Sequence, residues 1–166
     1  MSLKAHLRVA PKMTTSDEGL KFIQRWEGTK LKVYKDVAGY PTIGSGHLIV
    51  DGDDPHKQWE HKGITAEEAL ELLKDDVGYA EDCVNRYISW PLKQTQFDAL
   101  TSFTFNVGGR ALRASTLRKK LNEGEEGRVG LELNRWNKAG GRVVAGLTKR
   151  RASEGRLFNL GKYTGR

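Results

Sequence analysis

The sequence predicts an α+β fold of two lobes, a small antiparallel sheet joined by one long helix to an all-helical lobe. Three observations carry this. Between Leu31 and Val50, short β-prone pieces ("LKVYKD", "YPTIGSG", "HLIV") alternate with Gly39, Gly44 and Gly46, the pattern of a small meander. From Ile64 a run of more than twenty residues opens with Thr65 and Glu68 at capping-box spacing and keeps Ala69, Leu72, Leu73, Val77, Ala80 and Val84 on one face. Beyond Trp90, "WPLKQTQFDALTSFTFNVGG", "STLRKKLNEG", "GRVGLELNRWNKAGG" and "LTKRRASEGRLFNLG" each read as a helix that closes on glycine.

Taken in chain order, residues 1–14 read as an amino-terminal extension, of which "MSL" has the look of a vector remnant. Lys4, Arg8 and Lys12 interrupt its apolar pieces, so it lacks the continuous apolar core of a secretory signal. Residues 15–64 form the α/β lobe. Its first segment, "TTSDEGLKFIQRWEG", is a short helix with Thr15 and Glu18 at capping-box spacing and Leu20, Ile23 and Trp26 near helical period. Gly28 stops it, which leaves Glu27 at the carboxyl-terminal end. After the meander, "DGDDPHKQWEHKG" reads as a polar turn-rich connection. Residues 65–90 are the connecting helix and 91–166 the helical lobe.

A chain of 166 residues buries enough surface to fold without disulfide or metal staples. No apolar run reaches the roughly 18 residues that span a bilayer. The single cysteine, Cys83, has no internal partner and no zinc-ligand pattern around it, and its helical register with Tyr79 and Tyr87 makes it a packing residue. No metal or cofactor is implied. The net charge of +7 is unevenly placed: residues 1–109 carry 13 Lys and Arg against 16 Asp and Glu, residues 110–166 carry 15 against 5. That asymmetry points to an anionic partner, whether nucleic acid, a membrane surface or a cell-envelope polymer.

The segment "WEGTKLKVYKDVAGYPTIGSGH" places two acids, Glu27 and Asp36, and a hydroxyl, Thr42, on a helix end and two adjacent strands. Glycosidic cleavage needs two carboxyls with different tasks, one to protonate the leaving oxygen and one to activate water or attack the sugar carbon. A glutamate beside Trp26 and a sheet suits the donor, and an aspartate near a hydrated turn suits the ionised partner. Spacing alone does not separate this from two surface carboxylates and a strand threonine.

The motif "EG…YKD..GY.TIG.GH", followed in order by "ITAEEALELLKDDV", "QFDALTSFTFNVG", "STL…LN.G", "RW" and "GL..RR..E..LF", resembles the phage-type lysozymes, glycoside hydrolase family 24, over residues 16 to 160. The resemblance implies a lysozyme-like fold and an endolysin that lyses its host by hydrolysing the β-1,4 bond between N-acetylmuramic acid and N-acetylglucosamine in peptidoglycan. It implies Glu27 as general acid, Asp36 as the carboxylate that handles the attacking water and Thr42 as the hydroxyl that positions it. Reaction by inversion would set the carboxyls about 6.5 to 9.5 Å apart.

Leu48, Phe105 and Thr116 align with sugar-groove positions of family members from T-even phages. Gly130 stands where those have an asparagine, so one amide contact to substrate is expected to be missing. His47 resembles a structural histidine paired with Asp76 on the long helix. Of Arg150 and Arg151, one is placed to reach Glu27 or its helix end, although adjacent arginines are by default solvated. Among partners, the resemblance implies peptidoglycan as substrate, an anionic envelope that suits the basic carboxyl-terminal lobe, and a holin for release from the host cytoplasm to the periplasm and wall. The protein is expected to act as a monomer without specific nucleic-acid binding.

Two rivals share these residues. A lytic transglycosylase would give 1,6-anhydro products with a glutamate and no water-activating acid, against which Asp36 and Thr42 argue. A basic module that binds or disrupts the envelope would need no chemistry at all. "LRKKLNEG" and "LTKRR" are too short and too poor in aromatic residues to specify nucleic acid.

Overall fold

The computed structural model of the chain describes residues 11–50 and 54–164. Its elements run α1 (Asp17–Glu27), β1 (Lys30–Lys35), β2 (Pro41–Gly44), β3 (His47–Leu48), α2 (Asp54–Lys62), α3 (Ala66–Asp76), α4 (Gly78–Tyr87), α5 (Gln94–Val107), α6 (Gly109–Ala114), α7 (Thr116–Asn122), α8 (Val129–Asn134), β4 (Lys138–Ala139), β5 (Arg142–Val143) and α9 (Ala145–Leu160). The architecture is the α+β arrangement read from the sequence, with a three-stranded antiparallel sheet in the order β1-β2-β3 beside a helical mass.

Two apolar cores organise it. Ile43, Ile64 and Ala69 form a small one under the sheet, with Val33, Ile49, Trp59 and Leu72 around them. The larger core joins α1, α3 and α4 to α5 and the helices after it, and α1 contributes Leu20, Phe22 and Ile23 to it. The first helix is therefore anchored in the helical mass and hands its last residue to the sheet side. α5 is the hub, buried without interruption from Gln96 to Thr104.

Five local expectations are corrected. The cap of α1 is Ser16, whose Oγ accepts from the Gly19 amide at 3.0 Å, and not Thr15. Buried Asp98 sets this register: its Oδ1 accepts from the Ser16 amide at 3.1 Å and its Oδ2 from the Ser16 hydroxyl, while the Thr15 amide goes to Glu81 Oε1 at 2.7 Å. Gly19 admits that approach, because a Cβ there would lie 2.5 Å from Asp98 Cγ.

The connection after the meander contains α2. The long connecting helix is two segments that meet at Val77, with Gly78 opening the second. α6 intervenes between α5 and α7. The lobe read as all helical carries a hairpin, β4 paired with β5 across Gly140 and Gly141, both at positive φ as a tight two-residue turn requires.

Of the expected extension, residues 1–10 lie outside the described residues. From Met13 onward the chain is stitched to the helices: Met13 and Asn85 exchange two hydrogen bonds at 2.9 and 2.8 Å, and Gln94 Nε2 donates to the Thr14 carbonyl at 2.8 Å.

Candidate active site

Glu27 closes α1 because Gly28, at φ +77°, takes the chain out of the helix where a side-chain-bearing residue would be strained. Its side chain is 24 % exposed, and Oε1 lies 2.7 Å from Nη1 of Arg150 in α9, a residue itself only 5 % exposed. The first and last helices of the fold thus meet at one carboxylate.

Asp36 follows β1 at the turn into β2. Its Oδ1 accepts from the amides of Ala38 and Tyr40, each at 2.9 Å, and its own amide donates to the Tyr40 carbonyl at 2.9 Å. This is an Asx-type turn, which orients the carboxylate through its own loop. Thr42 is buried on β2, and its hydroxyl donates to the Tyr40 carbonyl at 3.0 Å.

The register pairs Thr42 with Tyr34 on one side and Leu48 on the other. Residues directly opposite share a face, so Tyr34, Thr42 and Leu48 belong to one sheet face, and Asp36 follows at the turn two residues beyond Tyr34. Burial, then the charges of Asp36 and of Glu27, push the Tyr34 phenol above its ordinary value. Lys30 Nζ stands 4.0 Å from the centre of the same ring.

The remaining predicted residues divide into three groups. His47 Nδ1 lies 2.9 and 3.0 Å from the two oxygens of Asp76, and its ring meets Trp59 edge to face. Leu48, 46 % exposed, is an open part of the sheet face. Phe105 packs partly buried on the larger core near the end of α5, and Thr116 is exposed at the start of α7. Among the described interactions, neither touches Glu27, Asp36 or Thr42.

Gly130 packs toward α9, where a Cβ would lie 2.8 Å from Asn159 Nδ2. The default of solvated arginines is corrected. Arg150 is the one that reaches Glu27, and Arg151 is fully buried over the Phe103 ring with Nη2 donating to Asn106 Oδ1 at 2.7 Å.

Sequence reading missed three residues. Tyr34 stands two before Asp36 in the β-prone piece "LKVYKD", opposite Thr42. Glu154 stands four after Arg150 on α9, the spacing of an ion pair. Ser102 left no signal, since a serine inside an apolar helical run reads as filler. Glu154 is fully buried, and burial pushes its carboxyl up while Arg151 and Arg150 oppose that shift. Burial pushes the Arg151 guanidinium down against the pull of Glu154.

A family model described as phage lysozyme matches residues 24–154, a span that holds both carboxyls, Thr42 and Arg150. The chain belongs to the phage lysozyme family. The endolysin of Bacillus phage PZA is 44 % identical over 151 residues, which cover 90 % of this chain and 56 % of that one. The chain thus spans little more than half the length of this curated relative. Among solved structures, a point mutant of P22 lysozyme superposes with a TM-score of 0.80 at 38 % identity, covering 88 % of this chain and 98 % of that one. The muramidase domain of SpmX from Asticaccaulis excentricus superposes at 0.75 with 33 % identity, covering 88 % and 97 %. This lysozyme-family chain therefore carries its two carboxyls on a scaffold shared almost whole with the P22 enzyme.

Proposed function

We propose that the chain is a peptidoglycan-degrading endolysin that hydrolyses the β-1,4 bond between N-acetylmuramic acid and N-acetylglucosamine with inversion. The observation that carries the reading is Glu27 at the end of α1, tied to Arg150, ahead of a sheet that buries Thr42 and whose first turn is opened by Asp36. Family membership and the muramidase title of the SpmX neighbour support it.

In this reading Glu27 donates its proton to the leaving glycosidic oxygen while Asp36 takes a proton from the water that attacks the opposite face of the sugar. Asp36 Oδ1 is occupied by two amides, so Oδ2 is the oxygen for that water. Thr42 spends its proton on the Tyr40 carbonyl and offers lone pairs, so it positions the water as an acceptor. Leu48, Phe105 and Thr116 line the sugar groove. His47 and Asp76 brace β3 against α3, a supporting task.

The basic carboxyl-terminal lobe, with 15 Lys and Arg against 5 Asp and Glu after residue 109, holds the enzyme near the anionic envelope. Passage from the host cytoplasm to the wall through a holin's lesion and action as a monomer belong to the same reading. No helix among the described residues is long and apolar enough to cross a membrane.

The test is turbidity loss on purified peptidoglycan by the parent, Glu27→Gln and His47→Asn. Glu27→Gln is expected to lose about 1000-fold or more of the rate, the scale of removing a general acid with its proton, and His47→Asn to keep most of it. Whole cells lysed as fast by Glu27→Gln as by the parent, with no turbidity loss on purified peptidoglycan, would return the reading to a membrane-disrupting module. Products that gain no water on mass spectrometry would make the enzyme a transglycosylase, and a β-anomer in the first NMR spectra would exclude inversion.

A further inference from the structure

We propose that Glu154 is a positioning residue of the active site, the buried carboxylate that aims Arg150 at Glu27. The inference rests on the catalytic reading of Glu27. Each nitrogen of the Arg150 guanidinium has its own partner: Nη1 meets Glu27 Oε1 at 2.7 Å, Nε donates to Glu154 Oε1 at 3.1 Å, and Nη2 donates to the Ser102 carbonyl at 3.3 Å. A guanidinium is planar, so holding two of its nitrogens fixes the line along which the third points. Glu154 and Ser102 are those two anchors, and both are fully buried.

Glu154 is itself held from several directions. The Ser102 hydroxyl donates to Oε1 at 2.7 Å, which closes a triangle of Ser102, Glu154 and Arg150 between α5 and α9. Arg151 Nη2 donates to the same oxygen at 3.4 Å, and its Nε stands 3.0 Å from Oε2 without the alignment of a hydrogen bond. Two guanidiniums surround one carboxylate, and the nitrogen of Arg150 turned away from Glu154 and Ser102 is Nη1, which meets Glu27. The 2.7 Å contact from Nη1 locates Glu27 Oε1. The active site therefore continues from Glu27 into the helical core, and Glu154 acts on that carboxyl through Arg150 without touching substrate.

The experiment measures kcat and KM on solubilised peptidoglycan for the parent, Glu154→Gln, Arg150→Met and the double variant, at a temperature where near-UV circular dichroism shows each to be folded. Glu154→Gln is expected to lower kcat about tenfold, the cost of a small misplacement of a catalytic group, with KM within about twofold. In the Arg150→Met background the same substitution should change kcat by less than about twofold, because the two residues act as one unit.

Parental kcat in Glu154→Gln, or an undiminished tenfold loss in the Arg150→Met background, overturns the proposal. Should Glu154→Gln fail to fold, Ser102→Ala takes its place, since it removes the hydroxyl that holds Glu154 Oε1 and leaves every charge and the backbone carbonyl that accepts from Arg150. An approximately threefold loss in kcat that disappears in the Arg150→Met background supports the proposal, and no loss overturns it. Glu27→Gln separates the two levels. Activity in that variant sinks the catalytic reading itself, whereas an inactive Glu27→Gln beside a fully active Glu154→Gln sinks only the role of Glu154.

Discussion

The two carboxyls of the site are held by opposite strategies. Asp36 is held locally, by two amides of the turn it begins and by a ladder bond to Tyr40, all within four residues of itself. Glu27 is held from the far end of the chain by Arg150, which is fixed in turn by buried Glu154 and Ser102. A carboxylate on an exposed hairpin stays wet and is oriented by backbone geometry alone. One at the mouth of a core needs a charged partner, and that partner brings a buried network with it. The lesson is that Glu27 is vulnerable to changes throughout the helical mass, whereas Asp36 is vulnerable to little beyond its own turn.

The largest expected effect lies on the Glu27 side. Arg150→Met removes the link between the first and last helices and leaves Glu154 with one guanidinium. Breaking a buried ion pair by removing one partner costs about 3 kcal/mol, so the urea midpoint should fall sharply along with the hydrolysis rate. A variant as stable as the parent would show that the network contributes orientation and no net stability, which would bring the two regions closer together.

The matching change on the Asp36 side is Gly39→Ala. Gly39 sits at φ +89° in the turn, and a Cβ there meets nothing within 4 Å, so the cost is conformational, about 1–2 kcal/mol, with no steric part. Stability should fall less than in Arg150→Met while the hydrolysis rate falls clearly, because the turn that presents Asp36 is the element disturbed. Equal stability losses in the two variants would erase the contrast between local and long-range anchoring.

What the sequence made legible follows the same division. Local features could be read: the end of α1 at Gly28, the β-prone pieces around Thr42, and the order of motifs that carries the family. Features decided by distant contacts could not. The cap of α1 moved from Thr15 to Ser16 because Asp98, buried in α5, claims Ser16.

Some local signals fit two structures equally well. Gly140 and Gly141 fit a helix stop by sequence, yet two adjacent glycines between β-capable residues equally mark the hairpin they form. The segment "DGDDPHKQWEHKG" is polar and turn-rich, yet proline is equally at home in the first turn of a helix such as α2. The spacing from Arg150 to Glu154 was visible, but only the fold shows that both are buried and that the third partner is Glu27.

The smallest expected effect tests whether the far end of the helical mass also acts over distance. The Tyr163 hydroxyl donates to Asp98 Oδ2 at 2.7 Å, beside the Ser16 hydroxyl bound to the same carboxylate, and so ties the end of the chain to the cap of α1. Burial pushes the Tyr163 phenol up to about 12, with the Ser16 hydrogen bond opposing the shift and Asp98 adding to it. A tyrosine whose folded value is raised contributes stability that is complete below the unfolded value of about 10 and is lost as pH climbs from there to about 12. The melting temperature should therefore decline across that alkaline window in the parent, and Tyr163→Phe should flatten this part of the decline while starting from a lower value at neutral pH. Parallel curves for the two proteins would mean that Tyr163 titrates as it does in the unfolded chain. The anchor of α1 at Ser16 would then depend on Asp98 alone, and the route from the chain's end to the helix that carries Glu27 would stop at Asp98.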